Sequence, residues 1–181
     1  MKILFTGFLP FSSFPENPSE TLAKELGEAF DCPSLILPVS FEKAPKELSQ
    51  KIEEEKPDFI LSLGLSGRAK SLHLERYAYN QMKASIPDND GKSMQGCPIY
   101  EDSPASFSTH LKLEKLIVRL DGFPFTCSND PGRYICNLVY FHDLASGIPS
   151  LFVHLPPFAT IPHDKQLRAL RALVNELLQI I

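Results

Sequence analysis

The sequence predicts an α/β fold in which helices cover a mainly parallel β-sheet. Short apolar, β-prone segments alternate with segments of helical periodicity along most of the 181 residues. The 16 prolines lie mainly at the junctions between these segments, where proline ends one element or begins the next. We therefore expect a single domain over residues 1–181, with its ligand site in the crevice at the carboxyl ends of the strands.

The first third of the chain contains three predicted strands and two predicted helices. Asn17 is followed by Pro18 and Glu20, a pattern typical of a helix start with Asn as the N-cap and Pro at the first helical position. Pro57 ends the second helix, because proline does not continue a helix. The predicted strands cover residues 2–8, 34–40 and 58–63, the last ending at Gly64, and the helices cover 18–30 and 43–56.

The rest of the chain is less regular up to its last helix. Residues 72–79 alternate in polarity and are interpreted as a strand, whereas 87–98 are rich in Asp, Asn and Gly and are predicted to be loop. A second capping pattern, Asn129, Asp130 and Pro131, precedes a predicted helix. The remaining predicted helices cover 109–121, 132–145 and 163–181, and the remaining strands cover 123–128 and 150–155.

The composition argues against nucleic-acid and membrane partners. The formal net charge is -4, the pI is about 5.7, and the chain has no basic run. Phosphate backbones and anionic lipids both need clustered Lys and Arg, which are missing here. No apolar run approaches the roughly 20 residues that span a bilayer. The N-terminal apolar segment is too short for a signal peptide, so we expect a cytoplasmic location.

The four cysteines are predicted to be free thiols. They lie far apart, without a C-x-x-C pair, and neither they nor the five histidines show the paired spacing of a zinc site. We therefore expect no metal. Three of them are interpreted as buried and unreactive, because free cysteine is among the most buried residue types. These three are Cys32, Cys97 and Cys127.

Cys136 is the candidate nucleophile. It lies early in the predicted helix over 132–145, close to Arg133. Helix N-termini and cationic neighbours favour the thiolate, which is the nucleophilic form of cysteine. The alternative is a cysteine buried in the core, which composition alone favours.

His154 and Glu75 are the candidate partners of that thiol. His154 follows the apolar segment 151–153, at the carboxyl end of a predicted core strand, where an imidazole can serve as a base. Glu75 is a carboxylate that can orient the imidazole. The alternatives are a structural histidine and a simple ion pair of Glu75 with Arg76. The other histidines, which lie on segments or helix faces predicted to be exposed, are given no role: His73, His110, His142 and His163.

Six motifs, in this order along the chain, resemble those of the pyroglutamyl peptidase type I family, also called pyrrolidone carboxyl peptidases. The nucleophile motif of that family resembles the segment 128–137, and the segment with its catalytic histidine resembles 152–156. The other four are 6–11 (TGFLPF), 17–19 (NPS), 75–80 (ERYAYN) and 86–91 (IPDNDG). The matches extend over most of the chain.

The resemblance implies a function and a site. It implies a thiol peptidase that releases pyroglutamate from the N-terminus of small peptides, with a Cys136–His154–Glu75 triad on a three-layer α/β/α sandwich of the phosphorylase/hydrolase type. It also implies no cofactor and a tendency to form homotetramers. Phe8 and Phe11 are expected to supply apolar faces for the substrate ring, with Ile135 beside the nucleophile; core packing is the alternative for both Phe residues.

The chain departs from the family pattern at three places. Ser12 and Ser13 replace a Gly-Gly pair, Ser85 replaces an arginine next to the oxyanion region, and 158–160 (FAT) replace a Pro-Glu-Gln segment. Losing a preorganised donor slows catalysis. Backbone amides of the Cys136 helix, Arg68 or Arg133 are possible replacements.

Three other functions are compatible with parts of the pattern. The first is a weakly active or non-catalytic homologue that binds pyroglutamyl-like peptides, which Ser85 motivates. The second keeps the thiol chemistry but acts on another small amide or lactam. The third, chemistry of the nucleoside phosphorylase type, requires a phosphate site made of basic groups or Gly-rich loops, and the sequence shows no convincing one.

Overall fold

The structure is a computed structural model that describes residues 1–11 and 15–181. The predicted departure at Ser12 and Ser13 lies outside the described residues. The strands are β1 (Ile3–Phe8), β2 (Ser34–Leu37), β3 (Phe59–Leu65), β4 (Leu72–Glu75), β5 (Tyr77–Tyr79), β6 (Met82–Lys83), β7 (Gln95–Cys97), β8 (Ser106–Ser108), β9 (Phe125–Ser128) and β10 (Ser150–Leu155). The helices are α1 (Pro18–Phe30), α2 (Lys43–Glu55), α3 (Leu113–Arg119), α4 (Ile135–Ala145) and α5 (His163–Ile180).

A six-stranded sheet forms the centre of the fold, in the order β2-β1-β3-β10-β4-β9. Neighbouring strands are parallel except for β10 and β4, which are antiparallel. All residues of β1, β3 and β10 are buried, as expected for central strands covered by helices on both faces. The predicted mainly parallel sheet is confirmed, and the one antiparallel pair makes it mixed.

Alternate side chains of the central strands enter two separate hydrophobic cores. On one face of the sheet, Val153 packs in the core that also contains buried leucines of α1, α3 and α5. On the other face, Phe152 packs in the core that also contains buried side chains of α2 and α4. Because strand side chains alternate between the two faces, this pattern gives the predicted α/β/α layers.

The two helices of the first third of the chain begin and end near their predicted positions. Asn17 is the N-cap of α1, and its Oδ1 accepts a hydrogen bond from the Ser19 N–H at 3.1 Å. Helix α2 ends at Glu55, and Lys56 has the left-handed backbone of a C-cap (φ 48°) just before Pro57. Side-chain capping and proline punctuation therefore define these boundaries as expected.

Helix α4 begins three residues later than predicted. Its N-cap is Tyr134, whose backbone is extended, and Gly132 has a φ of +79° that no helix accommodates. Asp130 Oδ1 accepts a hydrogen bond from the Gly132 N–H at 3.0 Å, so the predicted capping pattern closes a turn before the helix instead. Cys136 is consequently the second residue of α4.

Four other segments differ from the prediction. The strand predicted to end at 63 continues through Gly64 to Leu65, and the predicted helix over 109–121 shortens to Leu113–Arg119. The predicted strand over 34–40 ends at Leu37, because Pro38 has no N–H for the ladder, and it is a half-buried edge strand. The predicted loop over 87–98 contains β7, which pairs with β6.

The segment predicted as one strand over 72–79 is two strands. Residues Leu72–Glu75 form β4 in the main sheet, whereas Tyr77–Tyr79 form β5, which pairs with β8 in a separate two-stranded sheet. The break falls at Arg76, whose N–H donates to the Ser128 carbonyl at the end of the main sheet.

In the described part of the chain, no helix is both long and apolar enough to cross a membrane.

Candidate active site

Three elements bring the predicted triad residues to one place. His154 lies near the carboxyl end of β10, Glu75 ends β4, and Cys136 lies in the first turn of α4 above the sheet. In the antiparallel register of β10 and β4, Phe152 is opposite Glu75 and His154 is opposite His73. Opposed residues of paired strands point to the same face, so His154 and Glu75 are diagonal neighbours on the face that α4 covers.

The carboxylate of Glu75 contacts the imidazole directly. Glu75 Oε1 lies 2.7 Å from His154 Nδ1, and the two residues are only 1% and 7% exposed. The alternative partner, Arg76, makes no such pair: its guanidinium contacts Glu114 and the Asn129 side chain. The Glu75 side chain is therefore available to orient the histidine ring.

The surroundings of His154 favour its protonated form. Burial opposes the charge, but hydrogen bonding to Cys136 and Glu75, together with their negative charges, outweighs burial and raises the pKa of His154 to about 10. A histidine held in this way carries its proton at neutral pH when the neighbouring thiol is ionised. It can then act as an acid toward a departing amine.

The thiol of Cys136 lies against the strand next to β10. A Cβ atom added at Gly64 would lie 2.8 Å from Cys136 Sγ and 2.7 Å from the Phe152 ring. Gly64 is also the register neighbour of His154 across the β3–β10 ladder. The Cys136 sulfur of α4 therefore lies over β3, next to the strand β10 that carries the imidazole, and glycine is required at 64 because a side chain there would collide with the sulfur and the Phe152 ring.

The start of α4 offers hydrogen-bond donors next to the sulfur. The first intrahelical bond runs from the Leu138 N–H to the Tyr134 carbonyl at 3.1 Å. The N–H groups before Leu138 have no intrahelical acceptor, as at every helix N-terminus, and the helix dipole adds partial positive charge there. This arrangement suits both a thiolate and an oxyanion.

A small cavity, called here the inner cavity, adjoins the sulfur. Phe8, Phe11 and Ile135, the three predicted substrate-binding residues, line it together with Cys136. Its volume is about 10 Å³, roughly room for one water molecule, so a ring-sized ligand must displace a wall. The other lining residues, none of which was predicted to bind substrate, are Asn17, Val39, Leu65 and Tyr134.

The two phenylalanines of the inner cavity differ in their surroundings. Phe8 is 2% exposed and belongs to the core cluster that contains Phe152, with the two ring centroids 6.5 Å apart. Phe11 is half-buried, and its ring centroid lies 6.1 Å from that of Tyr134. Phe8 thus both packs in the core and lines the cavity, whereas Phe11 and Tyr134 form the outer wall. Tyr134 was detectable only as a member of the nucleophile motif.

A second and larger cavity, called here the outer cavity, opens beside the first. It has a volume of about 650 Å³ and shares Phe11 and Tyr134 with the inner cavity. Its other lining residues are Ser66, Gly67, Arg68, Lys83, Ala84, Ser85, Ile86 and Arg133. Ser85 and both arginines considered as replacements for the missing family arginine are therefore found at this opening.

Of the remaining cysteines and histidines, His73 adjoins the predicted triad. Cys97 and Cys127 are exposed, so their predicted burial is wrong; they lie on a two-stranded hairpin and on the edge strand β9. His73 is half-buried beside His154, and burial lowers its pKa. Among the described residues, no group of three or more His, Cys, Asp or Glu side chains is placed to hold a metal ion.

Comparison with known proteins gives consistent similarities. Residues 1–169 match the sequence model of a family described as pyroglutamyl peptidase. The chain is 37% identical over 169 residues to the pyrrolidone-carboxylate peptidase of Pyrococcus furiosus, covering 86% of this chain and 81% of that protein. It is 36% identical over 167 residues to the pyrrolidone-carboxylate peptidase of Lactobacillus johnsonii, covering 86% and 78%.

Solved structures show the same similarity at the level of the fold. A mutant of the Pyrococcus furiosus pyrrolidone carboxyl peptidase superposes with a TM-score of 0.91 at 32% identity, covering 100% of both chains. The pyrrolidone carboxyl peptidase of Fervidobacterium islandicum superposes with a TM-score of 0.91 at 30% identity, covering 99% of both chains.

Proposed function

The chain belongs to the pyroglutamyl peptidase family, and from that premise we propose that Cys136, His154 and Glu75 are its catalytic triad. The family predicted from the motifs is confirmed, and with it a cysteine-type peptidase that hydrolyses the amide bond after an N-terminal pyroglutamyl residue. The observation that supports the triad is the buried 2.7 Å contact of His154 with Glu75, on the face where Cys136 begins α4.

The proposed reaction is an acyl transfer in two steps. The Cys136 thiolate attacks the carbonyl carbon of the pyroglutamyl residue, and the C–N bond breaks as His154 gives its proton to the departing amine. Water, deprotonated by His154, then attacks the thioester, which releases pyroglutamate and regenerates the thiolate. Glu75 keeps Nε2 of the ring directed at the reacting atoms by holding Nδ1.

The oxyanion formed in each step needs donors close to the sulfur. We assign this role to the backbone N–H groups at the start of α4, because they lack intrahelical acceptors and adjoin Cys136. Ser85 is exposed on the rim of the outer cavity. On this assignment, the absence of an arginine at 85 lowers the rate without abolishing activity.

The substrate ring is assigned to the inner cavity. A pyroglutamyl ring is flat and uncharged, and apolar faces such as those of Phe8 and Ile135 suit it. Phe11 is the half-buried member of the wall, so we propose that its displacement admits the ring. Both assignments rest on proximity to Cys136.

A fluorogenic pyroglutamyl amide tests the proposed site. The wild-type protein is expected to release the fluorophore, the Cys136→Ala variant to lose at least about 10³-fold in kcat/KM, and the matched Cys127→Ala variant to remain active. Equal rates for wild type and Cys136→Ala would remove Cys136 from the mechanism. Prolyl and glutaminyl amides complete the panel, and a preference for either would contradict the substrate assignment.

Four finer points are part of the same proposal. We propose that residues 1–181 act as one pyroglutamyl peptidase domain, on small peptides, in the cytoplasm, where a nucleophilic thiol remains reduced. We also propose a homo-oligomer, following the tendency of the family to form tetramers. Sedimentation of the purified protein tests the last point, and a monomer at all concentrations would contradict it.

A further inference from the structure

We propose that the outer cavity binds a carboxylate of the departing peptide, so that this peptidase prefers pyroglutamyl substrates with negative charge immediately after the cleaved bond. The inference rests on the proposed function, since it assigns the primed side of the same site. It adds a substrate class that the reaction itself does not require.

The lining of the outer cavity is strongly cationic. Arg68, Lys83 and Arg133 line it, and none of the described residues that line it is acidic. Arg133 Nη1 pairs with Asp130 Oδ1 at 2.6 Å, whereas Arg68 and Lys83 form no ion pair within the described part of the chain. The whole chain has a net charge of -4, so this opening concentrates charge of the opposite sign.

Two backbone hydrogen bonds and one contact with an aromatic ring hold these three cations at the opening. Lys83 is tied to the nucleophile loop by its N–H, which donates to the Arg133 carbonyl at 3.0 Å. Arg68 lies in a turn closed by the Ala69 N–H and the Ser66 carbonyl at 3.1 Å, directly after β3. The Arg133 guanidinium lies 3.8 Å from the centre of the Tyr79 ring. The positive charge is therefore positioned by the fold.

The outer cavity lies where the departing peptide must run. It shares Phe11 and Tyr134 with the inner cavity, which adjoins Cys136. A substrate whose ring occupies the inner cavity therefore directs the residue after the cleaved bond toward the cations. The pyroglutamyl end has no amino group, so carboxylates further along the peptide are the charges that these cations meet. Attraction of this kind guides charged ligands into a cleft.

Two sources can supply the carboxylate. One is the acidic side chain of the residue after pyroglutamate; the other is the free C-terminus of a pyroglutamyl dipeptide. Pyroglutamyl-glutamate amide, pyroglutamyl-glutamine amide and pyroglutamyl-lysine amide test the side chain, because all three have a blocked C-terminus. Pyroglutamyl-alanine and its amide test the C-terminal carboxylate with an unchanged side chain.

The experiment compares kcat/KM ratios within each protein. For the wild type we expect kcat/KM for the glutamate amide to be about five times that for the glutamine amide, and kcat/KM for the lysine amide to be lower than both. The ratio of the glutamate to the glutamine value measures the charge preference. Because exposed charges are screened, the ratio is expected to shrink in 0.5 M salt. The double variant Lys83→Gln/Arg68→Gln is expected to bring it close to one.

Lys115→Gln is the matched control and should leave the ratio unchanged. Lys115 is an exposed cation on α3, which packs against the opposite face of the sheet. A wild-type ratio near one for both carboxylate sources, or a ratio that persists in the double variant, would overturn the inference. If the wild type cleaves none of these substrates, the proposed function fails instead. Cleavage of the glutamine amide without charge preference leaves that function intact.

Discussion

His154 Nδ1 lies 2.7 Å from Glu75 Oε1, and the antiparallel ladder between β10 and β4 fixes this contact. In that ladder Glu75 is opposite Phe152, two residues before the histidine, so the two side chains meet diagonally on one face. The sheet thus brings the Glu75 carboxylate and the His154 imidazole together, whereas helix α4 places the Cys136 sulfur above the same face.

Replacing Glu75 by Gln keeps the shape of the side chain but removes its charge. We expect kcat to fall by about 10²-fold or more, since the amide no longer stabilises the imidazolium. Glu75 raises the pKa of His154, so its loss lowers that pKa and moves the alkaline limb of activity to lower pH. A profile of kcat/KM between pH 6 and about 10.5 measures the shift.

Glu114→Gln is the control for the Glu75 variant, because Glu114 pairs with Arg76 at the surface and not with the histidine. This control should keep the wild-type profile. An unchanged alkaline limb in Glu75→Gln would show that the carboxylate does not act on His154.

Adding one methyl group at Gly64 should damage the site. The new Cβ would lie 2.8 Å from Cys136 Sγ and 2.7 Å from the Phe152 ring, closer than unbonded atoms approach. Either the sulfur or the ring must move, so we expect Gly64→Ala to lose at least about tenfold in kcat and about 1–3 kcal/mol in the free energy of unfolding. Turnover and urea denaturation measure the two effects, and wild-type values for both would contradict the proposed packing.

Alkylation compares the four free thiols directly. At pH 7 we expect iodoacetamide to modify Cys136 first and inactivation to follow that modification, because Cys136 lies in the first turn of α4 and is hydrogen-bonded to His154. Cys127 is exposed, but burial of part of its side chain raises its pKa, so it should react more slowly. Peptide mapping by mass spectrometry gives the order.

The Cys97→Ser/Cys127→Ser variant serves as the control for alkylation and should be inactivated at the wild-type rate. Exposure alone would make these two residues react first. If inactivation of the wild-type protein follows modification of Cys97 or Cys127, the reactive thiol has been misassigned.

Asp143 should make the stability of the fold depend on pH. Burial raises its pKa to about 8, opposed by a hydrogen bond that Ser62 Oγ donates to Oδ2 at 2.7 Å. The unfolded chain loses this proton near pH 4, so between about pH 4 and 8 the native state binds one more proton, and stability falls as the pH rises.

Asp143→Asn tests this dependence, because an amide resembles the protonated acid. In the variant, the free energy of unfolding should no longer show the decrease with pH that Asp143 causes. At pH 8 it should exceed the wild-type value by on the order of 1 kcal/mol or more. Urea denaturation from pH 5 to 9 measures it, and parallel curves for the two proteins would show that Asp143 is already ionised.

Sequence patterns predicted much of the fold where one local cause dominates. The Asn17 cap and the apolar segment 150–155 each have a single structural solution, and both were found where expected. The start of α4 differed from the prediction, because an aspartate such as Asp130 closes a turn as readily as it caps a helix. Gly64 was predicted to end a strand, and only the neighbouring Cys136 and Phe152 explain why glycine lies within it.

Part of the candidate site could also be predicted from the sequence. The order of the motifs identified Glu75, Cys136 and His154, whose catalytic roles are predictions that the variants above test. The cationic outer cavity could not be predicted, because Arg68 lies in the turn after β3 and Lys83 lies on β6, and only the fold brings them to one opening. Likewise, the exposure of Cys97 depends on the hairpin that presents it.

The position of β10 has a consequence for how the protein is made. It lies between β3 and β4 at the middle of the sheet, yet it is the last strand along the chain. As a ribosome releases the polypeptide from its N-terminus, the two halves of the sheet have no strand to join them until residues 150–155 emerge. The same strand brings His154, so under the proposed mechanism a nascent chain lacks its acid–base group until β10 joins β3 and β4.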